Sequence, residues 1–211
     1  KKGKMLLAIA AIVVVLGLVT ALLRYNAIKT YTQYDVVSAT ETSGDNIADY
    51  TVFAGNVLKV TKDGASYIDE KGVTKWDVSY AMKMPHAEVC GNYAIVADMN
   101  GKDVYVFNVD GEVSRQTLAY DISNVDIAEQ GVYTLVLVGE DCNYINGYDK
   151  DSNTIYELKT TIDKSGYPMD IDISNDGQKL VTSYMKIQGT KVQSVIAMYN
   201  FSSVGQNENA D

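Results

Sequence analysis

The residues of this sequence that could do chemistry are few and scattered. His86 is the only histidine, so neither a histidine-based metal cluster nor a serine–histidine–aspartate arrangement has its partners. We interpret His86, directly after Pro85, as a loop residue between two groups of strands. Cys90 and Cys142 lack a CxxC spacing and are either two free thiols or a single disulfide. With no glycine-rich phosphate loop or G-x-S-x-G motif either, the sequence predicts no catalytic, cofactor-binding or metal-binding residue.

One acidic run has the spacing of a calcium loop. Asp149, Asp151 and Asn153 match the first three ligand positions of an EF-hand. Thr154 stands where the motif requires glycine, and Thr160 stands where it requires a bidentate glutamate. The departures favour a polar hairpin turn over a cation site.

A second acidic run lies further along the chain. Asp170 and Asp172 share one face of a predicted strand, and with Asp176 they could form a cation site. Side-chain hydrogen bonds within turns are the commoner role of such residues. Asn200-Phe201-Ser202 also matches an N-glycosylation sequon, which matters only in a eukaryotic secretory host.

The elements that would position these residues form a repeat. At four places a large apolar residue is followed directly by Asp or Asn and then by a polar turn. These Asp and Asn residues are Asp69, Asn108, Asp149 and Asn200. The intervals between them are 39, 41 and 51 residues. A period near 40 made of short strands is typical of β-propeller blades. The fold class is therefore predicted to be all-β, with about four blade-like repeats over 47–211.

Short turns separate the predicted strands. Gly55-Asn56, Gly91-Asn92 and Asp110-Gly111 are the clearest hairpin signals. A β-sandwich also uses short strands with frequent turns, but the four-fold repeat favours the propeller. Alternating apolar residues on both faces of the second and third units predict that these units are buried on both sides. The fourth unit reaches the polar segment 206–211 before a fourth strand is evident. If later blades complete the circle, the first unit must pack its outer face on something outside this chain, so we expect an open arc of about four blades with one exposed apolar edge and not a closed ring.

The N-terminal segment is apolar. Met5–Leu23 has 19 residues without a charge, and Lys1, Lys2 and Lys4 precede it. As a helix it would be roughly 28 Å long, close to the ~30 Å bilayer core. We predict a lipid-spanning anchor with a cytoplasmic N-terminus, and a cleaved signal peptide with a site near Val19–Ala21 is the alternative. Because the chain starts at Lys1 and not at Met, we expect the natural product to begin earlier.

Charge excludes one class of partner. Four of the 18 basic residues flank the apolar segment, which leaves 14 against 27 acidic residues and a net charge of about −13 over 25–211. An acidic domain without a lysine or arginine cluster does not suit nucleic acid or anionic headgroups.

The blade motifs resemble a known family. The segment 64–76, Gly-Ala-Ser-Tyr-Ile-Asp-Glu-Lys-Gly-Val-Thr-Lys-Trp, resembles the repeat of quinoprotein-like (PQQ-repeat) propellers. The segment 171–180, Ile-Asp-Ile-Ser-Asn-Asp-Gly-Gln-Lys-Leu, resembles the hairpin of WD40-like repeats. An anchor followed by a propeller is similar to bacterial membrane-anchored propeller proteins of unknown function. The resemblance implies that Trp76 docks one blade on the next and that the chain belongs to a larger propeller.

Two functions remain open at this point. The first is a non-catalytic binding or scaffold module for a protein or cell-envelope partner, anchored in the plasma membrane by a single span and with the propeller outside the cytoplasm. The alternative is a quinoprotein-like enzyme or ligand sensor whose site lies in further blades. The expected organisation is a cytoplasmic tip and membrane helix at 1–24, a linker at 25–46 and the propeller domain at 47–211.

Overall fold

The structure is a computed structural model that describes residues 2–28, 36, 39 and 47–202, without the side chains of Lys2 and of residues 6–10. The chain divides into two compact units, 1–39 and 40–211. The first contains helix α1, Lys2–Ala27. The predicted boundaries at 24 and 46 stay predictions, since most of 29–46 lies outside the described residues.

Helix α1 corrects the predicted membrane anchor. A single helix covers the predicted segment, but within the described residues no helix is both long and apolar enough to cross a membrane. The predicted single-pass plasma-membrane location is therefore contradicted.

The second unit is all-β and consists of four antiparallel sheets in chain order. The strands are β1 Asp49–Phe53, β2 Asn56–Thr61, β3 Gly64–Ile68, β4 Thr74–Ser79, β5 Pro85–Cys90, β6 Tyr93–Asp98, β7 Asp103–Asn108, β8 Gly111–Thr117, β9 Asp121–Ile127, β10 Tyr133–Val138, β11 Asn143–Tyr148, β12 Thr154–Thr160, β13 Tyr167–Ile173, β14 Lys179–Gln188 and β15 Lys191–Asn200. The first three sheets have four strands each, and the fourth, within the described residues, has three. This is the predicted up-and-down blade order.

Successive sheets pack face to face through three apolar interfaces. The first interface joins sheets one and two around Phe53, Leu58 and Phe107. The second joins sheets two and three, and the third joins sheets three and four. Strands β1, β5, β9 and β13 begin the four sheets and are neighbours along the inner side of the arc. Among the described residues no apolar cluster joins the first sheet to the fourth, and the predicted open arc stays a prediction.

Local chemistry explains the hairpins, with two differences in register. The turn predicted at Asp110-Gly111 is the two-residue loop Val109-Asp110, because Asn108 pairs with Gly111. The sequence predicted a β1–β2 turn at Gly55-Asn56, but Phe53 pairs with Asn56, and the two-residue loop is Ala54-Gly55. Both loop residues have positive φ, 45° and 79°. That backbone matches the right-handed twist of the flanking strands, and Ala54 adopts it despite its Cβ. The β5–β6 turn at Gly91-Asn92 falls where it was predicted.

Candidate functional site

The four repeated Asp and Asn residues each close a turn after the third strand of a sheet. Asp149 Oδ1 accepts the backbone N–H groups of Asp151 and Asn153 at 3.0 and 2.8 Å. Asp69 accepts the corresponding N–H groups two and four residues on, both at 2.9 Å. Asn108 and Asn200 form shorter versions of the same turn. The side-chain oxygens accept backbone N–H groups of the turn that have no partner strand to bond to. This is why Asp or Asn recurs at this position.

The predicted calcium-like run is therefore a turn. The Asn153 side-chain amide donates to Asp149 and lowers the pKa of that carboxyl, together with the backbone N–H groups. Lys150 pairs with Asp151 at 2.8 Å. These carboxylates are occupied by groups of the turn itself, and the polar-turn interpretation is confirmed.

The second acidic run is split between two places. Asp170 accepts the Asn124 side-chain amide across the third interface at 2.8 Å. Asp176 lies in the β13–β14 turn, where it accepts the Ser174 hydroxyl and the Gln178 N–H. Within the described residues no three His, Cys, Asp or Glu side chains are placed to hold a metal ion.

A half-buried carboxylate beside this run was not singled out in the sequence. Asp126 on β9 accepts the backbone N–H of Ile173 from the next sheet at 2.6 Å. Burial raises the pKa of Asp126, its backbone hydrogen bonds oppose that shift, and the charges of Asp172 and Glu88 add to it. Asp126 thus joins the third sheet to the fourth at the inner side of the arc.

His86 and the cysteines differ in place from the sequence interpretation. His86 lies on strand β5 and not in a loop, and its Nε2 is 2.9 Å from a Glu88 carboxylate oxygen. Cys90 and Cys142 are both free and half-buried, so the disulfide alternative is wrong. Burial, followed by the charges of Glu129 and Asp126, raises the pKa of the Cys90 thiol.

Trp76 docks the first sheet on the second, as the resemblance implied. Its ring stacks on Phe107 at a centroid distance of 5.1 Å, and its Nε1 donates to the carbonyl of Val109 at 3.2 Å. Val109 directly follows Asn108, the turn residue of the second sheet.

Two further residues occupy the position of Trp76 in their own sheets. Trp76 pairs with Tyr67, two residues before the turn residue Asp69, and by the same count the equivalents are Ser114 and Tyr156. The Ser114 hydroxyl donates to the carbonyl of Lys150 at 2.7 Å, and Lys150 again directly follows a turn residue.

The third docking contact replaces the hydrogen bond with ring stacking. Tyr156 stacks on Phe201 at 4.1 Å, and Phe201 directly follows Asn200. Ser114 and Tyr156 were not predicted as docking residues, because only Trp76 matches the docking tryptophan of the repeat. Counting from the turn residues would have found both.

A solvent-open cleft lies at the edge that carries the β6–β7 and β10–β11 turns and the β8–β9 connection. This edge cleft has a volume of about 660 Å³ and lies between the second and third sheets. It is lined by Lys102, Ala119, Tyr120, Asp121, Tyr144, Lys159 and residues 138–142. It combines aromatic rings with side chains of both charges, an arrangement suited to holding a ligand by stacking and ion pairs.

Two tyrosines form the apolar wall of the edge cleft. The rings of Tyr120 and Tyr144 are stacked, with centroids 5.0 Å apart and planes 15° apart. Hydrogen bonds with Cys142 and Tyr120 raise the pKa of Tyr144, so its phenol stays neutral and can donate or accept a hydrogen bond. Gly139 starts the turn behind them, and a Cβ there would lie close to Tyr144, Tyr120 and the carbonyl of Cys142.

Lysines flank this wall. The Lys102 ammonium donates to the carbonyl of Ala119 at 2.9 Å and holds the connection that carries Tyr120. Lys159 is exposed at the end of β12. The edge cleft thus offers a stacked aromatic surface, one cation tethered to Ala119 and a second, exposed cation at Lys159. No sequence pattern predicted this site, because its residues come from four separate strands and turns.

The second unit is a β-propeller of the PQQ-repeat and WD40-like class, as the blade motifs predicted. This class follows from the order of the sheets, the docking contacts between them and the inner strands. The chain belongs to DUF5711, a family of unknown function whose model matches residues 27–211. No curated protein matches the chain in sequence.

Several solved structures are similar to the chain. Hydrazine synthase of Kuenenia stuttgartiensis matches with a TM-score of 0.56 and 17% identity, over 80% of this chain and 50% of that one. BamB from Moraxella catarrhalis matches at 0.49 and 11%, over 76% and 49%. The Pan2 WD40 domain of Neurospora crassa matches at 0.47 and 12%, over 72% and 48%. The chain spans about half the length of each, and at these identities the likeness concerns the fold alone.

Proposed function

We propose that the propeller unit is a non-catalytic binding module that holds an extended segment of a partner protein in the edge cleft. The observation that carries this proposal is the stacked Tyr120–Tyr144 wall in a solvent-open cleft of about 660 Å³. Aromatic side chains bury a large contact area at a low cost in conformational entropy, which is why they are frequent in protein-binding sites.

The charges of the cleft favour a peptide over a nucleic acid. Lys159 lines the cleft together with two acidic residues of the β10–β11 turn, Glu140 and Asp141, so a ligand meets both signs within one cleft. A peptide can satisfy both with its own side chains and backbone. A phosphate backbone would meet the carboxylates at a cost, and the unit as a whole is acidic.

The enzyme alternative has no observation in its favour among the described residues. The Trp position of the PQQ-type repeat is occupied by Trp76 alone, while Ser114 and Tyr156 stand at its equivalents. The carboxylates that could have served a cation are bonded within turns or across a sheet interface. A binding role therefore remains the better supported proposal.

The experiment selects random 12-residue peptides displayed on phage against the whole chain and measures the affinity of enriched peptides by fluorescence anisotropy. Tyr120→Ser and Lys159→Glu should each weaken binding by about tenfold or more, since each removes roughly 1.4 kcal/mol or more of contact energy. Tyr50→Ser and Lys71→Glu are matched controls, because both residues are exposed on the first sheet, outside the edge cleft. Peptides that bind all four variants equally, or no enriched peptide at all, would contradict the proposal.

A further inference from the structure

A second cleft lies at the same edge of the propeller unit as the edge cleft, between the first and second sheets. This first-interface cleft has a volume of about 410 Å³. Its walls come from the β2–β3 turn, the β4–β5 connection, the β6–β7 turn and the chain that enters β1 and β5. The first and second sheets thus form one cleft at this edge, and the second and third sheets form the other.

The first-interface cleft presents an exposed apolar surface. Met84 is 56% exposed and Ile47 is 94% exposed, although both line a cleft of a folded unit. The carbonyl of Met84 accepts the backbone N–H of Met99 at 2.8 Å, and its sulfur accepts the Asn100 side-chain amide at 3.7 Å. An apolar side chain that is held in place and left exposed favours contact with an apolar group of a ligand.

The charge of this cleft is basic. Lys62 and Lys83 are exposed and line it, and among the described residues neither forms an ion pair. His86 also lines the cleft, but its ring pairs with Glu88. The one carboxylate among its described lining residues is that of Asp49. Two unpaired cations in a unit rich in acidic residues favour an anionic group of the ligand through charge complementarity.

The two clefts are equivalent places in successive sheets. Met84 directly precedes β5, the first strand of the second sheet, and Tyr120 directly precedes β9, the first strand of the third. An apolar side chain therefore stands at the same position in both clefts, as methionine in the first and as part of the aromatic wall in the second.

The β6–β7 turn separates the two clefts by a short distance. Met99 lines the first-interface cleft and Lys102 lines the edge cleft, and three residue steps span at most roughly 11 Å. Three or four extended residues of a ligand, at about 3.3 Å each, cover that distance. Asp98 fixes the turn relative to the β4–β5 connection, because it accepts two backbone N–H groups of the connection and a Cβ on Gly101 would collide with its carboxylate.

We propose that the partner segment bound in the edge cleft continues into the first-interface cleft, where an apolar side chain packs on Met84 and a neighbouring Asp or Glu binds Lys62 and Lys83. This inference rests on the function proposed above and adds the chemistry of the segment. The apolar and acidic pair should lie about three to five residues from the part that contacts Tyr120. A small anionic amphiphile has the same chemistry, but only a longer chain reaches both clefts.

The test uses the whole chain and the 12-residue peptides enriched on it, with affinities measured by fluorescence anisotropy. The double substitution Lys62→Glu and Lys83→Glu should weaken binding by about tenfold or more, because it replaces two attractive charges with two repulsive ones. Met84→Ser should weaken binding by about fivefold or more, because it removes the apolar contact.

Matched controls make the same chemical changes outside both clefts. Lys71→Glu with Lys191→Glu alters the net charge equally, and Val73→Ser removes an apolar side chain that is 54% exposed. These controls should change the affinity by less than about twofold, because distant charges are screened at physiological salt. Far-ultraviolet circular dichroism checks that every variant is folded.

A change in the peptide tests the same contact from the other side. Replacing the acidic peptide residue by its amide should weaken binding to the original chain by about fivefold or more. The same replacement should have little effect on binding to the Lys62 and Lys83 double variant, because the charges that it addresses are already gone. Equal effects on the two proteins would show that the residues do not meet and would overturn the proposal.

Other outcomes separate this inference from the proposed function. Peptides weakened by Tyr120→Ser but not by Met84→Ser or the lysine double variant would leave the edge-cleft function standing and overturn this inference. Peptides that respond only to the first-interface variants would overturn the single spanning segment, and no enriched peptide would overturn both proposals. Decanoate that binds through Lys62 and Lys83 when no peptide does, or a dimer of the original chain that Met84→Ser abolishes, would assign the cleft to another occupant and overturn the inference.

Discussion

Asp149 shows how one carboxylate organises a turn of the propeller. It accepts backbone N–H groups from two residues of the turn and a side-chain amide from Asn153. These donors favour the ionised carboxylate, so the pKa of Asp149 is lowered in the folded protein. The same geometry explains why Asp or Asn recurs at the end of the third strand in each sheet.

Asp149→Ala should lower the free energy of unfolding by about 1 kcal/mol at pH 7, the value of a typical hydrogen bond. The folded-state pKa is lowered, so this stabilisation is complete above the unfolded-state value of 3.8 and is lost as the pH falls through the folded-state value. Urea denaturation at pH 7 and pH 3.5 should show a smaller gap between the two proteins at the lower pH. Asp149→Asn, which keeps one acceptor oxygen, serves as the control, and a gap that does not change with pH would refute the assignment.

Gly111 has a positive φ, a backbone conformation that is unfavourable for residues with a Cβ atom. Its φ is 136°, although nothing lies within 4 Å of the place where a Cβ would be. Gly111→Val should therefore cost on the order of 1–2 kcal/mol through the backbone alone. His86→Ala, at an exposed strand position, should cost much less. Thermal unfolding of the two variants compares them, and equal midpoints would count against the turn geometry.

At the scale of the element, each sheet docks on the next through one residue of its fourth strand. Trp76 and Ser114 donate to a carbonyl directly after a turn residue, and Tyr156 stacks there instead. The residue paired with the docking residue on the third strand differs in size from sheet to sheet. Tyr67 stacks on Trp76, while Gly147 leaves space for the Tyr156 ring. The docking position therefore tolerates different side chains because its partner on the neighbouring strand changes with it.

Gly147→Ala should destabilise the third sheet, because the new Cβ would collide with the Tyr156 ring. We expect a loss of about 1–3 kcal/mol, in the range of overpacking substitutions. Tyr156→Ser, which copies Ser114, should relieve the collision, so the double variant should lose less than the two single losses combined. A double-mutant cycle by chemical denaturation gives the coupling energy, and strict additivity would show that the two positions do not meet.

At the scale of the whole molecule, the four sheets do not have equal surroundings. The second and third sheets are covered on both faces, while the first and fourth each have one face without a sheet among the described residues. In repeat folds the stability of each unit depends on its neighbours. Amides of the second and third sheets should therefore be better protected against hydrogen exchange than those of the first and fourth.

Amide hydrogen exchange should be slowest in β6 and β10, the strands with the most buried side chains, and fastest in β15. Peptide-resolved exchange measured by mass spectrometry checks the order. The matched comparison is β6 against β14, the second strands of their sheets, because each is paired with a strand on both sides and only the second sheet is covered by a following sheet. Equal protection of these two strands would argue against an uncovered fourth sheet.

The sequence by itself determined the fold class, the strands and the turns of this protein. Alternation, turn residues and the Asp or Asn repeat are local signals, because they depend on backbone geometry within a few residues. The β1–β2 register moved by one residue, since Ala54 takes a positive φ that propensity alone would give to Gly or Asn.

Only the tertiary structure decided which residues meet across sheets. The Tyr120–Tyr144 wall, the Asp126 link and the docking roles of Ser114 and Tyr156 depend on contacts between residues far apart in the chain. The sequence predicted one exposed apolar edge, but only the packing of the sheets shows that the fourth sheet exposes Ile196 and Met198. Period and propensity describe one strand at a time, whereas a site on a propeller is assembled from several sheets.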